Sequence, residues 1–187
     1  MDTTPLYERL ERLTHLLRTE ERTAGLGDGL QPVHLQVLAY LGRCNRYSNS
    51  PAGVADYLGL TKGTVSQTLN VLEARGWIRK SPSLIDKRVV HLQLTDEGRQ
   101  RLLQLWPPAP VQAALATLSA AQQAQLSTAL LDLLIALQQA QNGLSFGVCH
   151  SCRHFQRESA AQFRCGLTQE PLSVADSELI CREHLAA

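Results

Sequence analysis

The stretch Gly59-Leu60-Thr61-Lys62-Gly63-Thr64-Val65-Ser66-Gln67-Thr68-Leu69-Asn70-Val71-Leu72-Glu73-Ala74-Arg75-Gly76 decides the fold. Gly59-Leu60-Thr61 makes a turn, Thr61 is placed as an N-cap, and Gly76 closes the helix that follows. That helix, about 62–75, turns Val65, Leu69 and Leu72 inward. Its other face carries Lys62, Thr64, Gln67, Thr68 and Asn70. Pro51 suits the first turn of a short preceding helix, 51–58. Downstream, residues 77–80 and 88–94 read as two strands around the polar loop 81–87, a β-hairpin. Helix, tight turn, helix and hairpin in that order predict a module whose second helix lies in a DNA major groove.

The 187 residues are 44% hydrophobic, 19% charged and 5% aromatic. That composition favours helices over a β-sandwich. The formal net charge is +1, but residues 60–91 carry six cations against two acids, a net of +4. A local basic segment in a neutral chain fits a nucleic-acid contact. No run approaches the ~20 apolar residues of a membrane span. The chain begins with charged helix rather than a leader peptide, so a cytoplasmic protein is expected.

Outside the core stretch, residues 4–25 read as a helix with Leu6, Leu10, Leu13 and Leu17 in one stripe and Leu16 beside it. Residues 32–43 form a second helix, with Leu35, Val37, Leu38 and Leu41 facing the core. Thr95 caps a helix that runs to about Trp106, where Pro107, Pro108 and Pro110 break it. From Val111 to Gly143 the one charged residue is Asp132. The helix about 119–141 is therefore expected to pack against another helix, from a second subunit, before Gly143 ends it. The expected organisation is mainly α, with four parts. Residues 1–30 are an N-terminal dimerisation helix, 31–100 a winged helix-turn-helix domain, 101–143 C-terminal dimerisation helices, and 144–187 a Cys-rich metal module.

On the reading helix, Gln67 and Asn70 suit bidentate pairing with adenine, and Lys62 suits guanine or phosphate. Thr61, Thr64, Ser66 and Thr68 suit phosphates or a thymine methyl. Arg79, Lys80, Lys87 and Arg88 extend the contact along the backbone, and an Arg at the hairpin tip fits a narrow minor groove. The stretches Val54–Leu58, Thr61–Ser66 and Leu72–Ile78 resemble the MarR family of winged-helix regulators. Asp86-Lys87-Arg88 is similar to that family's Asp-x-Arg, and Leu94-Thr95-Asp96-Glu97-Gly98 to its Leu-Thr-x-x-Gly ending. The resemblance covers roughly residues 4–142.

It implies a homodimer built from the first and last helices, with two winged helices reading a pseudo-palindromic operator in double-stranded DNA. It also implies that Asp86 orients Arg88 by a salt bridge while Arg88 enters the minor groove. A repressor is expected. The family often binds small aromatic acids, but this sequence has no evident signature for one, so no effector is assigned. A winged helix used for protein contacts alone fits poorly with the polar outward face of residues 62–70.

Beyond the resemblance lies the pattern Cys149-x2-Cys152-x12-Cys165-x15-Cys181. Cys44 stands apart and reads as core-lining. A unit of this size with few large apolar residues needs a staple, and metal is the usual one in a reducing compartment. Four thiolates suit one tetrahedral zinc per chain, the first expectation. An iron–sulfur cluster that senses redox or iron is the alternative, and a thiol–disulfide switch is a third. His184 in Cys181-x-x-His184 allows a three-Cys, one-His site. His150 and His154 read as exposed or outer-sphere. Arg153, Arg164 and Arg182 sit beside cysteines and are expected to offset thiolate charge. Following the dimer helix, the module is expected to shift the spacing of the two reading heads. A thiol- or metal-dependent enzyme tethered to DNA is the rival of another class. No carboxylate or His constellation accompanies the cysteines, so an enzyme is not expected.

Overall fold

A computed structural model describes residues 2–83, 87–140 and 145–186. Helix α1 (Thr4–Leu26) leads by a tight turn into α2 (Pro32–Leu41), whose apolar side chains form the centre of the domain. Leu35, Val37, Leu38 and Tyr40 are fully buried. Gln31 N donates to His34 Nδ1 at 2.9 Å and so caps the start of α2. In α3 (Pro51–Leu58), Ser50 Oγ accepts from Gly53 N, and Gly59 closes the helix in the left-handed conformation, φ +64°. In α4 (Lys62–Ala74), Thr61 Oγ1 accepts from Thr64 N at 3.2 Å, the cap that the sequence predicts.

Strands β1 (Ile78–Pro82) and β2 (Val90–Leu94) pair antiparallel, from Ile78 opposite Leu94 to Pro82 opposite Val90. The hairpin thus starts one residue later than expected on its first strand and two later on its second. Helix α5 (Asp96–Leu105) begins at Thr95, whose Oγ1 accepts from Gly98 N and donates to Gly76 O. Gly98 is required there: an added Cβ would lie 2.0 Å from Trp77 O. One core joins α2 to Val54, Val65, Leu69, Leu72, Trp77, Ile78, Leu92 and Leu94.

The proline cluster does more than break a helix. It starts a separate one, α6 (Ala109–Ala116), with Pro110 in its first turn, where no N–H partner is lost. Helix α7 (Ala120–Ala140) follows, with no side chain fully buried. The expected stop at Gly143 lies outside the described residues. Among the described residues no helix is long and apolar enough to cross a membrane.

Residues 145–186 form a small unit of their own. A 3-10 turn (Cys149–Ser151) precedes β3 (Phe155–Arg157), β4 (Phe163–Cys165), β5 (Pro171–Leu172) and the short α8 (Val174–Ser177). The strands make one antiparallel sheet in the order β3-β4-β5. Its core is Cys149, Phe163, Leu172 and Cys181, with Tyr47, Phe155 and Cys165 packed against it. Tyr47 comes from the loop after α2. The unit therefore leans on the winged-helix domain itself.

Burial, with the charge of Arg75 second, holds the His34 imidazole below its ordinary value. The unfolded chain therefore takes up this proton first, and stability falls as pH drops through the ordinary imidazole range, near ~6.5. Protonation also removes the Nδ1 acceptor at the cap. The thermal midpoint should fall between neutral and mildly acid pH, and fall less in His34→Gln; equal slopes would exclude this group as the cause.

Candidate nucleic-acid interface and thiol cluster

The outward face of α4 holds Lys62, Thr64, Ser66, Gln67 and Asn70, all exposed. Thr61 is exposed beside them, with its Oγ1 2.9 Å from Thr64 Oγ1. Thr68 is the exception. It is 4% exposed, and its Oγ1 donates to Thr64 O at 2.8 Å. Position 68 shares a face with Val65 and Leu72 at helical spacing, so a residue counted as polar by type is core by position. Thr68 is thus corrected from a contact to a packing residue.

The wing is braced against this helix. Lys80 Nζ donates to Asn70 Oδ1 at 2.7 Å and lies 2.8 Å from Glu73 Oε2. Bidentate adenine pairing needs both the carbonyl and the amide of Asn70, and its carbonyl is already engaged. Gln67, also exposed on this face, stays a candidate for such pairing. Arg79 donates to Gln93 Oε1 at 2.7 Å across the hairpin. Arg75, part of the basic segment, donates to Asp28 O and lies over the Trp77 ring, so its charge serves packing. Lys87 and Arg88 are exposed at the hairpin. Asp86 lies outside the described residues, and so does its expected salt bridge to Arg88.

Cys149, Cys152, Cys165 and Cys181 line one small hollow of about 30 Å³, together with Tyr47, His154, Phe155 and Leu172. All are free thiols. Among the described residues, no group of three or more His, Cys, Asp or Glu side chains is arranged to hold a single ion. Thus the four cysteines share a cavity without closing on one point. Asn45 Nδ2 donates to Cys149 Sγ at 3.4 Å, and Leu185 N to Cys152 Sγ at 3.5 Å. The hydrogen bond between Cys149 and Cys181 raises the first thiol and lowers the second; Asn45 and Ser48 also favour the Cys181 thiolate. Burial pushes Cys44 up to about 12, which makes it an inert core residue.

Two expectations around this cluster are corrected. His184 is buried, with Nδ1 2.7 Å from Ser145 Oγ and Nε2 3.0 Å from Ser151 Oγ. Both ring nitrogens are occupied, so it is not placed as a fourth ligand. Arg164 pairs with Glu158, and Arg182 with Asp56, so neither charge is left for thiolates.

The loop between α2 and α3 is the seam between the two parts. Asn45 N donates to Ile180 O at 2.9 Å and Ile180 N to Arg43 O at 2.8 Å. Arg182 N donates to Ser48 Oγ at 2.8 Å, and its guanidinium reaches Asp56 at 2.6 Å. Arg46 and Tyr47 both reach the Glu170 carboxylate, and Phe146 packs edge-on to Tyr57. Residues 45–50 are polar or amphipathic by type. Nothing local in those residues announces that Asn45 and Ser48 are 1% and 0% exposed. A separate cleft, lined by Arg18, Arg43, Tyr57 and Trp106, opens between α1, α2, α3 and the end of α5.

Residues 28–89 match the MarR family. Transcriptional repressor MprA of Escherichia coli K12 is 31% identical over 80 residues, 43% of this chain and 46% of that protein. HTH-type transcriptional regulator PecS of Dickeya dadantii is 40% identical over 52 residues, 28% and 31% of the two chains. The chain spans about half the length, or less, of these curated relatives. Among solved structures, Streptococcus pneumoniae FabT in complex with DNA is 27% identical, with a TM-score of 0.58, over 74% of this chain and 99% of that one. The match to the family thus lies within the winged helix-turn-helix part of the chain.

If Thr68 is a core residue, Thr68→Val should leave DNA affinity unchanged, because the hydroxyl it removes faces its own helix. A titration of the variant with duplex DNA checks this; weakened binding at equal stability would return Thr68 to the interface.

Proposed function

We propose that this chain is a homodimeric, DNA-binding transcriptional regulator of MarR type that acts as a cytoplasmic repressor. The observation that carries the reading is the exposed polar face of α4, presented beside a basic hairpin on a winged-helix fold. The likeness to FabT, solved with DNA, supports it, as does the naming of MprA as a repressor. The curated relatives are regulators by name, and the reading includes no catalytic step.

Dimerisation follows from what the single chain leaves uncovered. Leu126, Leu130, Leu134 and Leu137 of α7 are 41–52% exposed, as are Leu13, Leu16 and Leu17 of α1 within a similar range. Contiguous apolar surface of this kind marks an interface, and two-fold pairing is the commonest solution. Two reading heads then address a pseudo-palindrome with half-sites about one helical turn apart, ~10 bp. The finer part of the reading is that the four cysteines hold a thiophilic metal centre, either zinc or an iron–sulfur cluster. The shared cavity and the N–H groups donating to Cys149 and Cys152 support it.

Binding should be measured on a duplex selected from random sequences with the wild-type protein. Lys62→Ala should weaken binding to all sequences alike and lower the salt slope by about 1. Gln67→Ala should instead lose about 1–3 kcal/mol of discrimination at one base pair per half-site. If both variants bind like wild type, α4 is not the reading helix.

Leu130→Glu buries a charge in the proposed interface. In sedimentation equilibrium it should run at the chain mass while wild type runs at twice that, and its operator affinity should fall. A wild-type monomer would refute the dimer.

A further inference from the structure

The loop between α2 and α3 is held from three directions by three consecutive residues. Ser48 faces the C-terminal unit, where its Oγ accepts from Arg182 N at 2.8 Å. Asn49 faces the hairpin: its backbone O accepts from Leu92 N of β2 at 2.7 Å, and its Oδ1 lies 2.8 Å from His91 Nδ1. Ser50 caps α3, and its N–H donates back to Ser48 O at 2.8 Å. Ser48 O also accepts from Tyr40 OH of the central helix. Ser48 is 0% exposed, so these bonds are made out of water, where a lost partner is costly.

Arg182 grips two of these directions at once. Its backbone N–H holds the loop, and its side chain holds α3, with Nε and a terminal nitrogen 2.8 and 2.6 Å from Asp56 Oδ2. The two contacts fix how α3 leaves the loop. Helix α3 packs on α4 and on β2, so the spacing of α4 and the hairpin depends on that angle. The two side chains are 32% and 37% exposed, and an ion pair that wet stabilises a fold only weakly. Its geometry is nonetheless specific, because one residue ties loop to helix.

Resting on the regulator reading above, we infer that the C-terminal unit positions the DNA-contacting surface from behind, with Arg182 as the positioning residue that sets α3 against the loop and, through Asn49, against the hairpin. The unit needs no contact with DNA to do this. It acts by holding α4 and the hairpin at the spacing that one half-site requires.

The test uses the full chain and the duplex selected with wild type. Arg182→Ala should bind it about five- to tenfold more weakly, at a thermal midpoint close to that of wild type. Asp56→Ala should weaken binding as well, but only while Arg182 is present, because the two changes remove one contact. Arg182→Lys, which keeps the charge, should recover part of the loss. A merely structural pair would instead lower the thermal midpoint and leave the affinity of the folded protein unchanged. Amide exchange at Ser50 and Leu92 should quicken in Arg182→Ala, while Leu38 in the core of α2 exchanges as in wild type.

Unchanged affinity in both single variants overturns the proposal. An effect of Asp56→Ala that persists without Arg182 overturns the pair as the link. Should Arg182→Ala fail to fold, Asp56→Ala, at an exposed position of α3, carries the test with Arg182→Lys. If wild type selects no duplex, quickened exchange at Leu92 leaves the junction standing and overturns the regulator reading instead; unchanged exchange there overturns the junction too.

Discussion

Helix α2 has almost no surface to give to water, and the rest of the molecule is arranged around that constraint. Leu35, Val37, Leu38 and Tyr40 are fully buried. Each such side chain contributes roughly 1.5–3 kcal/mol by its burial, while a domain of this size is stable by only ~5–15 kcal/mol. The helix must therefore be covered on all sides. Helices α1, α3, α4 and α5 and strand β2 all pack on it. Helix α4 is held in place by this shared core, through Val65, Leu69 and Leu72, so that its opposite, polar face is left exposed.

Tyr40 is where the apolar core meets the polar seam. Its ring lies among Tyr57 and Phe146, and its hydroxyl donates to Ser48 O at 2.8 Å. Burial and neighbouring groups push that hydroxyl well above its usual range, so it stays a donor. From this point the buried Asn45 and Ser48 extend the network to the C-terminal unit. Buried polar groups are costly unless paired, and both are paired. The loop thus has one arrangement while the C-terminal unit is in place, and loses several partners without it.

The long helices show the opposite economy. α7 has no fully buried side chain, and α1 buries only Gly25. Leucines in such helices do not stabilise a lone chain. The winged-helix core is complete within one chain, and the helical arms, on the proposed reading, are completed by a second copy.

Much of this was legible in the residues. The caps at Thr61 and Thr95, the turn at Gly59, the hairpin and the inward Val65, Leu69 and Leu72 follow from bonds and spacings within a few positions, which the sequence determines by itself. The polar face of α4 and the pattern of four cysteines were legible for the same reason. Tertiary structure alone decided which polar residues are interior. Thr68 turns inward because helical geometry places it with Val65 and Leu72, although its type suggests solvent. Asn70 is drawn to Lys80 by the docking of the hairpin, His184 to two serines, and Arg182 to Asp56. The largest difference is the seam, where Asn45 meets Cys149 across more than a hundred residues of chain. Local periodicity carries no record of such a contact; it exists because a unit with a minimal core needs a neighbour to lean on, and the loop after α2 offers paired polar groups at that place.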